Sequence, residues 1–257
     1  MNPSFAPPYG NRCLAYDDKG DFDRAITDCN EAIRLNPNYV PAYLNRGLAC
    51  HAKANDDRAI ADYDEAIRQK PLVAAYDDRS IAYFTKGDYN RAITDLNEAI
   101  QIDPTYSAAY FNRGLANLYG GTVANAVADL SRANQLIRKN AYAALWLDIA
   151  DRRSNLPSRL AETTSQIDMS KWPGPIVSLY LGRLTPAAVL TAADDPNEKI
   201  KKRRVCQASF FIGELGLQRG AKDDAMGLFR SVVTDCARRS TEWRAANAEL
   251  KAVSAPQ

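Results

Sequence analysis

Four stretches of this chain can be laid one beneath another: PYGNRCLAYDDKGDFDRAITDCNEAIRLNP, AYLNRGLACHAKANDDRAIADYDEAIRQKP, AYDDRSIAYFTKGDYNRAITDLNEAIQIDP and AYFNRGLANLYGGTVANAVADLSRANQLIR. Tyr9, Tyr43, Tyr76 and Tyr110 recur at spacings of 34, 33 and 34, and Pro37, Pro71 and Pro104 at 34 and 33. A unit this short cannot hide its own apolar side, so neighbouring units must stack and share one core. That period constrains the fold more tightly than any bulk property of the chain.

Each unit is counted so that its tyrosine is slot 4. Slot 8 is then small (Cys13, Gly47, Ser80, Gly114), while slots 20 and 27 are alanine throughout (Ala25, Ala59, Ala92, Ala126; Ala32, Ala66, Ala99, Ala133). Slots 4, 8, 11 and 15 share one narrow helical arc, as do slots 20, 24 and 27. Each unit therefore reads as two amphipathic helices whose small residues let the backbones approach. Gly20-Asp21 and Gly87-Asp88 supply a helix-ending glycine followed by an N-capping or first-turn acid. Proline at slot 32 ends the second helix. Ala54 stands where the second unit would carry that glycine, which predicts a distorted turn, and Arg138 replaces the closing proline of the fourth unit.

This order of large, small and alanine slots closing on proline resembles the tetratricopeptide repeat over about residues 6–140, with units at about 6–39, 40–72, 73–106 and 107–140. The resemblance implies an all-α fold, a right-handed superhelical solenoid of helix–turn–helix repeats that binds protein or peptide along its inner wall. Met1-Asn2-Pro3 followed by SFAPPY aligns with Leu35-Asn36-Pro37 followed by NYVPAY. Residues 1–5 thus read as the tail of an upstream unit, the alternative being a short natural N-terminal tail.

From residue 141 to 257 the period is lost but helical patterning continues. AYAALWLDIADRR is apolar on nearly every side and is expected to be buried; SRLAETTSQI reads as a helix; Trp172-Pro173-Gly174-Pro175 is a hard turn. Thr185-Pro186 is a cap and first helical residue. Residues 197–219, 222–236 and 240–252 read as three helical segments, the first two forming a degenerate repeat at about 206–239 with Gly213 in the small slot. KWPGPIVSLYLG, VCQASFFIGELGLQRG and WRAANAELK, in that order, resemble the C-terminal module of NlpI-type bacterial lipoproteins. That family implies an export signal, N-terminal lipidation, dimerisation and an adaptor role that gathers cell-envelope proteases and peptidoglycan hydrolases. No lipid-attachment cysteine stands at the start of this sequence.

Cys206 and Cys236 fall at opposite ends of the degenerate hairpin, where either a disulfide or two reduced thiols would fit. Cys13, Cys29 and Cys50 occupy core slots and read as small hydrophobes. No C-x-x-C spacing exists, so no metal site is expected, and one histidine, His51, leaves little for histidine catalysis; it is read as groove-lining or exposed. Arg12, Arg46, Arg79 and Arg113 at slot 7 match Asp28, Asp62, Asp95 and Asp129 at slot 23, predicting an ion-pair series along the hairpins. Lys199, Lys201, Lys202, Arg203 and Arg204 form a basic run, read first as a solvated helix face. A net charge of +2 from 33 basic and 31 acidic residues argues against nucleic acid as a partner. No run approaches the ~18 apolar residues of a membrane span. No phosphate loop, nucleophile elbow or catalytic carboxylate pair stands out, so no enzyme activity and no cofactor are expected.

Slots 2, 5, 6, 9, 12 and 13 are expected to project away from the core of the first helices and to line a peptide-binding groove. That face comprises Asn11, Leu44, Asn45, Leu48, Asp78, Ile81, Phe84, Phe111, Asn112, Leu115, Leu118 and Tyr119. An amide row beside an aliphatic row would hydrogen-bond an extended backbone and accept apolar side chains. The lack of lysine at slots 2 and 5, with aliphatic residues at slot 9, disfavours an acidic C-terminal motif there. The functional reading is a non-enzymatic scaffold with a protein or peptide partner, self-associating as a homodimer if the family's habit holds. The alternative is a cytoplasmic scaffold or part of a longer chain whose upstream domain carries an activity. The compartment stays open: the cell envelope with an upstream export signal, the cytoplasm otherwise.

Overall fold

The computed structural model describes residues 5–137, 140–164 and 167–254. The upstream alignment of Met1–Pro3 and the Arg138 substitution lie outside the described residues. Among the described residues the chain forms fifteen helices and no strand. They are α1 (Ala6–Asp18), α2 (Phe22–Leu35), α3 (Val40–Ala52), α4 (Asp56–Gln69), α5 (Val73–Lys86), α6 (Tyr89–Ile102), α7 (Ser107–Tyr119), α8 (Val123–Leu136), α9 (Ala141–Arg153), α10 (Leu160–Thr163), α11 (Gly174–Tyr180), α12 (Pro186–Ala192), α13 (Glu198–Gln218), α14 (Lys222–Asp235) and α15 (Thr241–Ser254). Backbone contacts group the chain into two compact units, residues 1–116 and 117–257. The division falls inside α7, not at residue 140 where the periodicity ends, because α8 packs on the non-repeating α9.

In the first unit, α1 with α2, α3 with α4 and α5 with α6 form helical hairpins. The side chains of Asp21, Asn55 and Asp88 accept hydrogen bonds from the backbone N–H groups of Arg24, Arg58 and Arg91, capping the second helix of each. The turn before each cap needs a left-handed residue. Gly87 supplies it with φ of 90°, and Ala54 takes the same conformation with φ of 63°. The second turn is thus not distorted, as its sequence suggested; it keeps the geometry and bears the steric cost of a Cβ there.

The alanines at slots 20 and 27 are fully buried in every unit. A second alanine seam, not singled out from the sequence, runs through slots 3 and 10: Ala42, Ala75, Ala109, Ala49, Ala82 and Ala116 are likewise buried. Ala42 and Ala49 share a core with Ala25, Ala32 and the α1–α2 side chains, so this seam joins each hairpin to the one before it. Ala15, at the same position in the first hairpin, is exposed.

Slots 8 and 24 meet across the first, second and degenerate hairpins and are matched in volume there. Gly47 accommodates the ring of Tyr63, and Gly213 that of Phe229 in the degenerate hairpin. Cys13 and Cys29 fill the same two places in the first hairpin, and here the reading as separate small hydrophobes is corrected: they are joined in a disulfide. The hairpin geometry that brings slot 8 against slot 24 is what puts both sulfurs in reach.

In the second unit, α9 is buried from Ala143 to Asp151. Trp146 packs against Phe210 and Phe211, and Phe210 against Phe229, forming an aromatic core between α9, α13 and α14. The Tyr180 hydroxyl donates to the Phe211 carbonyl, tying α11 to α13. SRLAETTSQI yields only the single turn α10, with Ser165 and Gln166 outside the described residues. Cys206 and Cys236 are disulfide-bonded, fastening α13 to the end of α14. Thr185 caps α12 by accepting from the Ala188 N–H.

Candidate functional site

The arginine at slot 7 is held by several partners in each of the first three repeats. Arg12, Arg46 and Arg79 fork onto Asp28, Asp62 and Asp95 in their own hairpins, at 2.6–2.7, 2.5–3.1 and 2.6–2.8 Å respectively. Each also lies over the slot 4 tyrosine one turn earlier, Tyr9, Tyr43 or Tyr76, at 5.3–5.7 Å from the ring centroid. The remaining guanidinium nitrogen reaches backwards. Arg46 donates to Asn30, Arg79 to Asp64 and Arg113 to Asn97, all slot 25 residues of the preceding hairpin. Lys53 and Lys86 likewise bridge back to Asp23 and Asp57. The slot 7–slot 23 series is therefore structural, and its backward arm was missed although slot 25 carries Asn or Asp in three consecutive units.

The expected groove residues divide. Phe84, Asn112, Leu115 and Leu118 are buried and offer no open wall, which corrects their placement in the groove. Phe84 sits at slot 12, where Asp17, His51 and Leu118 are also buried. The tight turn folds the first residue of the second helix back over this slot: Phe84 meets Tyr89 edge-on at 5.2 Å, and His51 Nδ1 lies 2.7 Å from Asp56 Oδ1. His51 is thus a buried, acid-paired residue rather than a groove-lining or exposed one.

The amide row is also occupied within the chain. Asn45 donates to the Gly10 carbonyl at 3.2 Å, and Asn112 to the Asp77 carboxylate at 2.8 Å. Asp77 further accepts from the Tyr106 hydroxyl, whose pKa is raised, chiefly by burial and then by that acid. These amides join successive repeats, which removes the expected backbone-reading role from Asn45 and Asn112. Accessible surface remains at Asn11 and Leu14, both exposed, and at Leu44, Leu48, Asp78, Ile81 and Phe111, all half-buried. Tyr119 is half-buried, but its hydroxyl is enclosed.

The second unit holds a buried ionic cluster. Arg153 donates to both oxygens of Glu214 at 2.8 and 3.0 Å, bonds Glu249 as well, and lies over the Tyr119 ring. Burial pushes the Glu214 carboxyl up to about 8; Arg153 pulls against this, and the neighbouring Glu249 adds to it. Two acids around one arginine pin α9, α13 and α15 together. Among the described residues no group of three or more His, Cys, Asp or Glu is placed to hold a metal ion. No helix among them is long and apolar enough to cross a membrane.

Family models described as tetratricopeptide repeat match residues 6–39 and 40–71, and one described as TPR repeat matches residues 82–120. Among solved structures, that of Pseudomonas aeruginosa pilF is 16% identical with a TM-score of 0.59, covering 96% of this chain and 97% of its own. A tetratricopeptide repeat protein from Parabacteroides merdae is 16% identical with a TM-score of 0.58, covering 95% of this chain and 98% of its own. YrrB, described as a TPR protein with an unusual peptide-binding site, is 16% identical with a TM-score of 0.55, over 71% of this chain and 94% of its own. At such identities the likeness is one of fold. Matches over residues 6–71 and 82–120, hairpins with alanine seams and the fold of these neighbours agree: this part of the chain is built of tetratricopeptide repeats.

Proposed function

We propose that this protein is a non-enzymatic adaptor that holds a peptide segment of a partner protein across the first helices of its repeats. The observation that carries this reading is the aliphatic row on α1, α3 and α5. Leu14 is 42% exposed, and Leu44, Leu48 and Ile81 remain partly accessible, while the neighbouring amides are spent between repeats. A partly accessible apolar row favours capture of apolar side chains over backbone reading. YrrB is described as binding peptide, which fits this use of the fold.

The finer reading places the adaptor in the cell envelope, gathering proteases or peptidoglycan hydrolases. It is supported by the sequence resemblance of residues 171–251 to NlpI-type lipoproteins. The two disulfides support it further, since such bonds persist in oxidising compartments. The test is affinity capture from source-organism envelope and cytosol fractions with the wild type and with a Leu44→Asp/Leu48→Asp variant. Selective capture of envelope enzymes, lost in the variant, is the expected result. Capture of the same partners by both proteins would overturn the site, and capture confined to cytosolic proteins would overturn the compartment.

A further inference from the structure

The second unit contains a cleft of about 700 Å³ between the Ser170–Pro175 turn and α13. One side is aromatic and rigidly held. Trp172 Nε1–H is shared between Gln207 Oε1 at 2.8 Å and the Tyr142 hydroxyl oxygen at 3.0 Å. The Tyr142 hydroxyl in turn donates to the same Gln207 oxygen at 2.7 Å. The polar edges of both rings are thereby engaged inside the protein. The turn itself has little freedom, because a side chain on Gly174 would collide with the Met169 carbonyl.

The other side is basic. Arg204 lies over the Trp172 ring at 5.6 Å and is anchored by Asp195 at 3.0 Å and the Asp194 carbonyl at 3.3 Å. Lys171 pairs with Asp168 at 3.4 Å. Arg203 is exposed, lines the same cleft, and makes no ion pair among the described residues. No carboxylate lines the cleft among those residues. The basic run of α13 is therefore not uniformly a solvated face. Lys201 and Arg204 are tied to Asp194 and Asp195, whereas Arg203, whose charge also acts on the buried Glu242 of α15, stays exposed beside an aromatic wall.

With Lys171 and Arg204 each paired to an acid and Glu242 lying near Arg203, Arg203 is the one lining cation that no ion pair holds among the described residues, which suits a monoanion better than a doubly charged phosphate. A guanidinium fork is shaped for a carboxylate, the fixed rings for an apolar side chain, and the volume for a few residues of peptide. We propose that this cleft binds a short peptide segment presenting a carboxylate, from a chain end or an acidic side chain, beside an apolar residue. The site is independent of the aliphatic row on α1, α3 and α5.

The test is calorimetric titration of the full chain, with Trp172 fluorescence as a second readout. The probes are three peptides: acetyl-Ala-Phe-Ala with a free carboxyl end, its amide, and the amide of acetyl-Asp-Phe-Ala. Binding of at least one carboxylate-bearing peptide about tenfold tighter than the neutral amide is expected, and Arg203→Gln should remove that gain without changing the circular dichroism spectrum. Whichever carboxylate peptide shows the gain identifies its source. Equal binding of all three peptides, no binding, an unaffected Arg203→Gln variant, or tighter binding of inorganic phosphate than of either carboxylate peptide would each overturn the proposal.

Discussion

A side chain at residue 47 and the ring of Tyr63 compete for one space: a Cβ built on Gly47 would lie 2.5 Å from Tyr63 Cε1. The small residue at slot 8 is therefore not a generic preference but the complement of whatever fills slot 24. Gly47→Ala should destabilise the protein by about 1–3 kcal/mol through overpacking, read as a lowered melting temperature. Adding Tyr63→Leu, which imitates the Ser80–Leu96 pairing of the third hairpin, should recover part of the loss.

Ala54 provides the opposite case, a position where removing atoms helps. It holds a left-handed backbone conformation, with φ of 63°, at a place where other repeats carry glycine. Ala54→Gly should raise stability by about 1 kcal/mol, the relieved strain exceeding the added freedom of the unfolded chain. Chemical denaturation with an unchanged m-value would register it.

Phe84 is only 4% exposed and packs on Tyr89. Phe84→Ala should cost about 3–5 kcal/mol, enough to confuse any binding assay that uses it as a groove variant. Urea denaturation would separate this from the partly accessible Leu44 and Leu48, whose substitution should cost far less.

The Cys206–Cys236 disulfide closes the α13–α14 hairpin across a sequence separation of 30 residues. Replacing both cysteines with serine should lower stability by about 2–4 kcal/mol. Reductant should lower the melting temperature of the wild type further than that of this variant, and a residual effect in the variant would report on Cys13–Cys29.

Glu214 makes stability depend on pH in an unusual direction for an acid. Its carboxyl is raised from 4.5 to about 8 by burial, with Arg153, Glu249 and Tyr119 around it. Between those values the folded state holds a proton that the unfolded chain releases. The contribution of this group is complete below about 4.5 and is lost as pH rises through about 8. Thermal melts across that window should show a decline with rising pH, and Glu214→Gln should flatten it.

The repeat period, the alanine seams at slots 20 and 27, the caps and the slot 7–slot 23 pairing were legible because each is a local pattern repeated in register. The groove was read less well. A helical wheel assigns slot 12 to the outer face, yet Phe84 and His51 are buried because the turn returns Tyr89 and Asp56 over them. Asn45 and Asn112 looked available for a ligand because a single repeat does not show what its neighbour presents, here the Gly10 carbonyl and Asp77. In the second unit, Tyr142, Trp172 and Gln207 lie far apart in sequence, and nothing periodic announces that they meet.

The backward reach of Arg46, Arg79 and Arg113 has a consequence for how such chains grow. The second and third hairpins each bring a fastener for the one before, Arg46 or Arg79, and an anchor for the one after, Asp64 or Asn97. A duplicated hairpin would arrive with both halves of its junctions already compatible. Lengthening or shortening the array by a whole repeat therefore demands no new coupling to evolve, whereas any insertion that is not a multiple of the period leaves two orphaned connectors.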